Sequence, residues 1–134
     1  RQRQLPNGLF FAVHTATGRL AATAAAECLP AERAPIQGAI GWVAADPEHR
    51  GRGLGYAVCV AATRRLIAEG YTLVGLATDD HRLPAIHIYL KLGFVPWLYA
   101  PDMEGRWRAL SQALGVAWES LGALTDLSAA LRDG

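Results

Sequence analysis

The order of apolar and polar positions predicts three short strands in the first third of the chain. A run of apolar and aromatic residues predicts a strand over Gly8–Thr15, and the turn residues Ala16–Gly18 connect it to a second strand over Arg19–Cys28. The run Gly38–Ala45 predicts a third strand, which ends before Pro47. The first two strands are expected to form a hairpin, and the third strand follows after a loop.

Helical spacing replaces the strand pattern in the middle of the chain. Apolar residues recur every three or four positions over Leu54–Glu69, and Gly70 is a helix terminator. The almost entirely apolar run Tyr71–Thr78 is typical of a strand covered on both faces, so it is expected to be central in the sheet. A second helix is predicted over Leu83–Leu92, where Gly93 suits the C-terminal cap.

The last part of the chain is predicted to be mostly helical. A short strand is expected over Phe94–Leu98, followed by a helix over Met103–Leu114 and a second helical run that continues to Leu131. The resulting order of elements predicts an α/β domain of the mixed α+β type, with a helical C-terminal extension over about residues 101–134.

Length and composition place the chain among ordinary globular domains. Its 134 residues are enough for one domain with a core, and 51% hydrophobic with 19% charged residues exclude a disordered or collagen-like chain. No apolar run reaches the roughly 18 residues of a membrane span, and the N-terminus lacks the apolar centre of a signal peptide. We therefore expect a single domain over residues 1–134, cytoplasmic and without a membrane partner.

Charge and metal-ligand patterns narrow the function further. A net charge of +1 is too low to attract nucleic acid to the whole surface. A cluster of basic residues indicates at most a local anion site. Cys28 and Cys59 lie outside any C-x-x-C motif and are interpreted as small, reduced apolar residues. The four histidines show no ligand spacing, so no bound metal is expected. The clustered basic residues are Arg50, Arg52, Arg64 and Arg65.

Three glycines and two arginines occupy the positions Arg50–Gly55, directly before the first predicted helix. A strand, a glycine-rich turn and a helix start present unpaired N–H groups and the positive end of the helix dipole, which suits phosphate. The spacing G-x-G-x-G does not match the dinucleotide fingerprint G-x-G-x-x-G, and the Lys-Ser/Thr pair of a P-loop is absent. The loop is expected to bind a different pyrophosphate, and the alternative is a tight connection whose glycines only permit packing.

Two segments of the chain resemble the GNAT superfamily of N-acyltransferases. The segment VAADPEHRGRGLGYAVCVAATRRLIAEGY resembles its acyl-CoA binding segment, whose signature Gln/Arg-x-x-Gly-x-Gly/Ala is met by Arg50, Gly53 and Gly55. The segment AIHIYLKLGF, Ala85–Phe94, resembles the A-I-x-x-Y-x-K-x-G-F run that follows the family's central strand. With the hairpin, the resemblance covers about residues 8–98 and implies a mixed, mostly antiparallel central sheet flanked by helices.

The resemblance implies an N-acetyltransferase that moves an acetyl group from acetyl-CoA to an amine by direct attack in a ternary complex. The strand end at Val43–Ala45 would separate from the next strand and hold the pantetheine arm, while a backbone N–H near Val43 polarises the thioester carbonyl. Tyr89 occupies the general-acid position and would protonate the CoA thiolate; the alternative is a half-buried core tyrosine. The residues implied in acetyl-CoA binding are Val43, Ala45, Arg50, Gly51, Arg52, Gly53, Leu54 and Gly55.

The general base is left open by the sequence. The acidic residue usual in the family on its third or fourth strand has no clear counterpart in Gly38–Ala45, which leaves ordered water or a residue elsewhere. Glu48 and His49 are candidates, although a polar turn after a proline normally carries solvated side chains. Three polar residues after the predicted central strand could reach the acceptor, with helix capping as their favoured role. They are Asp79, Asp80 and His81.

Three departures from the family pattern leave the acceptor open. The strand and two helices that normally precede the hairpin are missing, so the chain is either a fragment or uses its C-terminal helices in their place. Arg82 replaces a frequent Asn, and no clear seventh strand follows Leu98. The expected partner is a small-molecule or peptide amine, and nucleic acid is not expected; acyl length, residues before Arg1 and oligomeric state, with a homodimer as one option, stay open. The alternative function is a non-catalytic CoA-binding or protein-interaction domain with a degenerate acceptor site.

Overall fold

Four strands and three α-helices form the part of the chain that the computed structural model describes, residues 3–49 and 53–127. This mixed α/β architecture with a mostly antiparallel sheet confirms the predicted fold class. Contacts divide the chain into two units, Arg1–Leu76 with the sheet and one long helix, and Ala77–Gly134 with the other two helices. The expectation of a single domain stays a prediction.

The sheet of the first unit has the strand order β1-β2-β3-β4. Strand β1 (Gln4–Val13) pairs antiparallel with β2 (Leu20–Cys28), which pairs antiparallel with β3 (Gly38–Ala45). Strand β4 (Val74–Gly75) runs parallel to β3. The predicted hairpin and third strand are confirmed, although β1 begins earlier than the predicted Gly8.

Strand β4 is much shorter than predicted and lies at the edge of the sheet. Its two residues pair with Gly38 and Ala39, and the sheet order places no described strand on its other side. The prediction of a central strand over Tyr71–Thr78 is therefore wrong. Most residues of this run are half-buried, because an apolar sequence favours burial but does not itself supply a second strand for backbone pairing.

The long helix α1 (Leu54–Ala68) covers the sheet as its apolar spacing predicts. It contacts β1, β2 and β3, and its buried side chains are Val58, Cys59, Ala62 and Leu66. Full burial of a leucine such as Leu66 stabilises the fold by about 2–3 kcal/mol. Strand β2 is rich in small side chains, which allow a helix and a strand to approach closely. Its buried alanines are Ala21, Ala22, Ala24, Ala25 and Ala26.

Both α-helices of the second unit have the predicted bounds. Helix α2 spans Leu83–Leu92 and helix α3 spans Met103–Leu114. Each ends at a glycine with a positive φ, 104° at Gly93 and 73° at Gly115. A side chain with a Cβ is strained in this region of φ, so the two glycines determine where the helices stop.

Two predictions for the rest of the second unit are wrong. Residues Phe94–Leu98 do not form a strand, and Trp97 makes only a single parallel bridge. Pro96 within this run has no backbone N–H, which prevents a continuous ladder. The second helical run is a 3-10 turn, Trp118–Leu121, where the structure describes it, and its predicted continuation to Leu131 lies outside the described residues.

Other expectations from the sequence concern membrane spans, metals and thiols. Among the residues described, no helix combines the length and the apolarity needed to cross a bilayer. The same residues bring together no three His, Cys, Asp or Glu side chains that could hold a metal ion. Cys28 and Cys59 are free thiols and Cys59 is buried, as predicted.

Candidate active site

A β-bulge interrupts strand β3 near its end. Between two paired positions, Gly41 and Ala44, β3 has two residues, Trp42 and Val43, opposite one residue of β2. Trp42 has a φ of 53°, a left-handed conformation that is rare for a bulky residue. The hydroxyl of Thr23 donates a hydrogen bond of 2.7 Å to the carbonyl oxygen of Trp42 and so holds the bulge. Bulges redirect backbone and side chains and are frequent beside active sites.

A groove opens on the sheet at this bulge. Its volume is about 380 Å³, and it lies entirely within the first unit. The indole of Trp42 is 73% exposed, so the groove has an aromatic wall that a bound molecule could cover. None of the lining residues is charged. They are Gln4, Leu9, Thr23, Trp42, Val43 and Ala44.

Strands β3 and β4 are paired only at one end. The side-chain oxygen of Gln37 accepts hydrogen bonds from the N–H of Thr72 (2.6 Å), the hydroxyl of Thr72 (3.1 Å) and the N–H of Leu73 (3.1 Å). The N–H of Gln37 donates to the carbonyl of Leu73 at 2.9 Å. Among described residues, pairing between the two strands stops at Ala39. Val43 lies four residues beyond Ala39, the last position of β3 for which a pair with β4 is described.

Helix α1 begins at a glycine that has no side chain to cap it. Gly53 is the N-cap residue, with a φ of 71°, and no side-chain hydrogen bond caps the helix. A Cβ placed on Gly53 would meet no atom within 4 Å, so the backbone conformation and not the lack of space favours glycine there. Helix starts carry N–H groups without intrahelical partners and the positive end of the dipole. The start of α1 therefore suits an anionic group.

The polar turn between β3 and α1 contains a small charge cluster. The carboxylate of Glu48 lies 3.5 Å from the guanidinium of Arg19, and that of Asp46 lies 3.7 Å from it. The N–H of Glu48 donates to the Asp46 side chain at 3.0 Å. Glu48, a candidate base in the sequence, is thus paired with Arg19 on the surface, and the side chain of His49 lies outside the described part of the chain.

The bulged strand and the glycine-started helix fall within a segment that a known family shares. The family model described as the acetyltransferase (GNAT) family matches residues 1–94. This chain belongs to the GNAT acetyltransferase family. The predicted resemblance is confirmed.

Individual GNAT relatives match only part of their own length. A mycothiol acetyltransferase of Arthrobacter sp. (strain FB24) is 37% identical over 75 residues, which are 53% of this chain and 23% of that protein. A mycothiol acetyltransferase of Nocardia farcinica is 34% identical over 91 residues, 68% of this chain and 30% of that protein. The crystal structure of an acetyltransferase of Trypanosoma brucei is similar with a TM-score of 0.52 and 32% identity, covering 64% of this chain and 60% of that one. The chain thus spans less than a third of the length of the two mycothiol acetyltransferases.

The residues that the GNAT resemblance implies for acetyl-CoA binding occupy two places in the first unit. Strand β3 carries Val43 and Ala45, and the start of α1 carries Gly53, Leu54 and Gly55. The remaining three lie outside the described residues. They are Arg50, Gly51 and Arg52.

Tyr89, the general acid implied by the GNAT resemblance, lies on α2 in the second unit. Its side chain is buried, with 5% exposed, and its ring contacts that of Phe94 edge-on at a centroid distance of 6.5 Å. The N–H of Phe94 donates to the Tyr89 carbonyl at 3.0 Å. These contacts hold Tyr89 in the last turn of α2.

Asp80 binds an arginine rather than capping a helix. The guanidinium of Arg106 donates to both carboxylate oxygens of Asp80, at 2.7 and 3.0 Å. This hydrogen bonding lowers the pKa of Asp80 and raises the pKa of Arg106, so both groups stay charged. The N-cap of α2 is Arg82, and no side-chain hydrogen bond caps the helix there. The favoured capping role for Asp79 and Asp80 is therefore wrong.

Glu27 on β2 is a candidate functional residue that the sequence pattern does not reveal. This glutamate is half-buried and opposes Ala39 of β3 and Gln4 of β1 in the sheet. The signal available in the sequence is a single carboxylate directly after the alanine-rich run of β2. Without the strand register, that carboxylate could not be related to β3 or to the groove.

Proposed function

We propose that the chain is the acetyl-CoA binding and transfer part of an N-acetyltransferase whose acceptor is an amine. One observation carries the proposal: the described parallel pairing of β3 with β4 ends at Ala39, two residues before the bulge that forms the groove. The backbone groups of a strand edge can bind an extended ligand arm. The names of the matched relatives favour a small-molecule acceptor over a peptide.

Each part of the proposed site has a separate role. Acetyl-CoA supplies the activated acyl thioester. The backbone at Gly53 and the start of α1 binds the pyrophosphate, because unpaired amides and the helix dipole favour an anion. A backbone N–H near Val43 binds the thioester oxygen while negative charge develops on it.

Group transfer follows from direct attack by the amine. The neutral amine nitrogen forms a bond to the acyl carbon and releases one proton to water or another base, and the carbon–sulfur bond breaks. The CoA thiolate takes up the proton that Tyr89 donates, and Tyr89 is then reprotonated from solvent. No covalent intermediate on the protein is needed. Cys59 is not a candidate nucleophile, because burial raises the pKa of its thiol to about 11.

A second candidate is a CoA-binding domain without transfer activity. It is favoured because two carboxylates that the sequence offers near the acceptor are engaged in ion pairs. Glu48 is paired with Arg19, and Asp80 is bound by Arg106. If no other carboxylate serves the acceptor, the chain would bind the coenzyme without accepting the amine's proton.

Titration calorimetry with CoA tests the binding half of the proposal. Gly53→Ala introduces a Cβ at a φ of 71° at the start of α1. Gly115→Ala, at the C-terminal cap of α3, is a matched control with a φ of 73° and equally open surroundings. Both variants are expected to lose about 1 kcal/mol of stability from the left-handed backbone. Only Gly53→Ala is expected to weaken CoA binding, by about tenfold, a loss of about 1.4 kcal/mol. Equal affinities in all three proteins would contradict the proposed coenzyme site.

Release of free thiol from acetyl-CoA in the presence of an amine panel tests the transfer half. Tyr89→Phe is expected to lower the rate by about 10² or more, the usual contribution of a general acid. Tyr99→Phe, at an exposed tyrosine of the same unit, is the control and is expected to retain the wild-type rate. Tight CoA binding without thiol release in the wild type would favour the second candidate.

A further inference from the structure

A second pocket lies at the end of β2 and shares no lining residue with the groove at the bulge. Its volume is about 130 Å³, and it is lined by Arg3, Cys28, Pro30 and Arg33. All four residues belong to the first unit. Because one water molecule takes up roughly 30 Å³ in the liquid, the pocket has room for one end of a small ligand and not for a whole coenzyme.

Backbone hydrogen bonds hold the lining residues of this pocket together. The N–H of Cys28 donates to the carbonyl oxygen of Arg3 at 2.8 Å, so Arg3, just before β1, lies beside the end of β2. The N–H of Arg33 donates to the carbonyl oxygen of Pro30 at 2.9 Å, within the 3-10 turn that follows β2. Two arginines from different segments of the chain therefore line the same small pocket as the thiol.

The positive charge at this pocket is not neutralised by an acidic side chain. In the part of the chain that the structure describes, no carboxylate forms an ion pair with Arg3 or Arg33. Glu27 projects to the other face of the sheet, because it precedes Cys28 in the same strand. Glu32 is exposed on the turn. The pocket therefore suits an anion, and a carboxylate matches both its size and the geometry of a guanidinium group.

Cys28 adds a nucleophile to the anion pocket. Its thiol is free and half-buried, and it lines the pocket, so a ligand held there can reach the sulfur. The second cysteine of the sequence, Cys59, has no exposed surface, and burial raises the pKa of its thiol to about 11. A disulfide with a carboxylate close to its sulfur atoms would place the carboxylate at the arginines and one sulfur at Cys28.

We propose that this pocket binds small disulfides that carry a carboxylate, and that Cys28 exchanges with them to form a mixed disulfide. The Cys28 thiol loses its proton to solvent, and the thiolate attacks one sulfur of the bound disulfide. A new sulfur–sulfur bond forms, the original one breaks, and the departing thiolate takes a proton from solvent. Cys28 is oxidised and the ligand is reduced, and an added thiol reverses the step. The site acts independently of acetyl transfer.

Reaction rates with a charged and a neutral disulfide test the anion pocket. Dithiobis(nitrobenzoate) carries carboxylates, dithiodipyridine is neutral, and both release a coloured thiol. Arg3→Gln/Arg33→Gln is expected to lower the rate with dithiobis(nitrobenzoate) by about tenfold, the lower range for a charged cleft, and to change the rate with dithiodipyridine by less than about twofold. Arg64→Gln/Arg108→Gln removes the same charge at two exposed positions and is expected to keep both wild-type rates. An unchanged ratio of the two rates in the pocket variant would overturn the anion pocket.

Mass spectrometry of digested protein identifies the thiol that reacts. After a short exposure to dithiobis(nitrobenzoate), the mixed disulfide is expected on Cys28, and an added thiol is expected to remove it. Cys28→Ser is expected to stay unlabelled over the same time, and thermal unfolding shows that the variant is folded. A label on Cys59 in the wild type, or equal labelling of Cys28→Ser, would overturn the role of Cys28.

Competition by a simple carboxylate needs no variant. Benzoate in excess is expected to slow the reaction of the wild type with dithiodipyridine by about twofold or more, because it occupies the pocket beside the thiol. Benzyl alcohol has a similar shape without the charge, and sodium chloride gives the same ionic strength; neither is expected to slow the reaction. Equal rates with benzoate, benzyl alcohol and sodium chloride would overturn the carboxylate site, whether or not the chain transfers acetyl groups.

Discussion

Cys59 illustrates how burial alone changes the chemistry of a residue. Its side chain lies on the buried face of α1 with no exposed surface, and desolvation raises the pKa of its thiol to about 11 from an ordinary value of 9.0. The protonated thiol is therefore favoured in the folded protein. Since the unfolded chain solvates the thiolate, stability becomes linked to pH in the alkaline range.

The linkage predicts that stability falls as the pH rises from about 9 to about 11. In this interval the unfolded state has released the Cys59 proton and the folded state has retained it, so raising the pH favours unfolding. The Cys59 thiol contributes up to about 3 kcal/mol to the free energy of unfolding, because its pKa differs by about two units between the folded and unfolded states and each unit corresponds to about 1.36 kcal/mol. Urea unfolding at several pH values gives the free energy of unfolding as a function of pH. Between pH 9 and 11 this free energy is expected to fall more steeply in the wild type than in Cys59→Ala. Parallel curves for the two proteins would refute the role of this thiol.

The sequence identifies a residue well when its conformation depends only on neighbours along the chain. Gly53 was recognised from its place between a strand and a helix, and its left-handed φ agrees with that role. Trp42 could not be recognised, because its backbone conformation depends on how β3 is aligned with β2. The same applies to Glu27, whose position over Gly41 follows from strand register.

At the scale of elements, helix α1 holds the sheet through one face. Leu66 is fully buried, whereas its neighbour Ile67 is 65% exposed. Leu66→Ala is expected to reduce the free energy of unfolding by about 3 kcal/mol, since it removes buried apolar atoms and leaves a cavity. Ile67→Ala on the same helix is expected to change it by less than about 0.5 kcal/mol.

Urea unfolding followed by circular dichroism measures both variants of α1 under the same conditions. Because the two positions are adjacent, helix propensity changes similarly and the comparison isolates burial. Equal losses of stability in both variants would mean that α1 does not pack on the sheet through the Leu66 face.

Elements with local start and stop signals were predicted with correct bounds. Helix α2 ends at Gly93 and α3 at Gly115, both of which have a positive φ. The strand predicted over Tyr71–Thr78 is only two residues long and lies at the sheet edge. The strand predicted over Phe94–Leu98 does not form, and only Trp97 makes an isolated bridge. Their existence depends on which strands lie beside them, and an apolar run does not specify a neighbour.

At the scale of the whole molecule, a low net charge combines with exposed apolar side chains on β1. The net charge is +1 at neutral pH, so electrostatic repulsion between copies is weak. Leu9, Phe11 and Val13 alternate along β1 and are exposed, which places three apolar side chains on one face. We therefore expect self-association of the chain to be strongest near pH 8, where its net charge is close to zero.

Light scattering at several protein concentrations tests this expectation. Phe11→Lys adds a positive charge and removes the central apolar side chain of the β1 face, and it is expected to at least halve the associated fraction at pH 8. Ile67→Lys makes the same change in charge at an exposed position on α1 and serves as the control. If both variants reduce association equally, charge alone accounts for it and the β1 face has no special part.

The hydrogen bonds of Gln37 have a consequence for the range of acyl groups. One amide oxygen joins β4 to the base of β3, and the two strands form no further pairs past Ala39 in the described chain. Under the proposed function, an acyl chain longer than acetyl could lie beside β3 beyond Ala39, where no described pair between β3 and β4 would have to break.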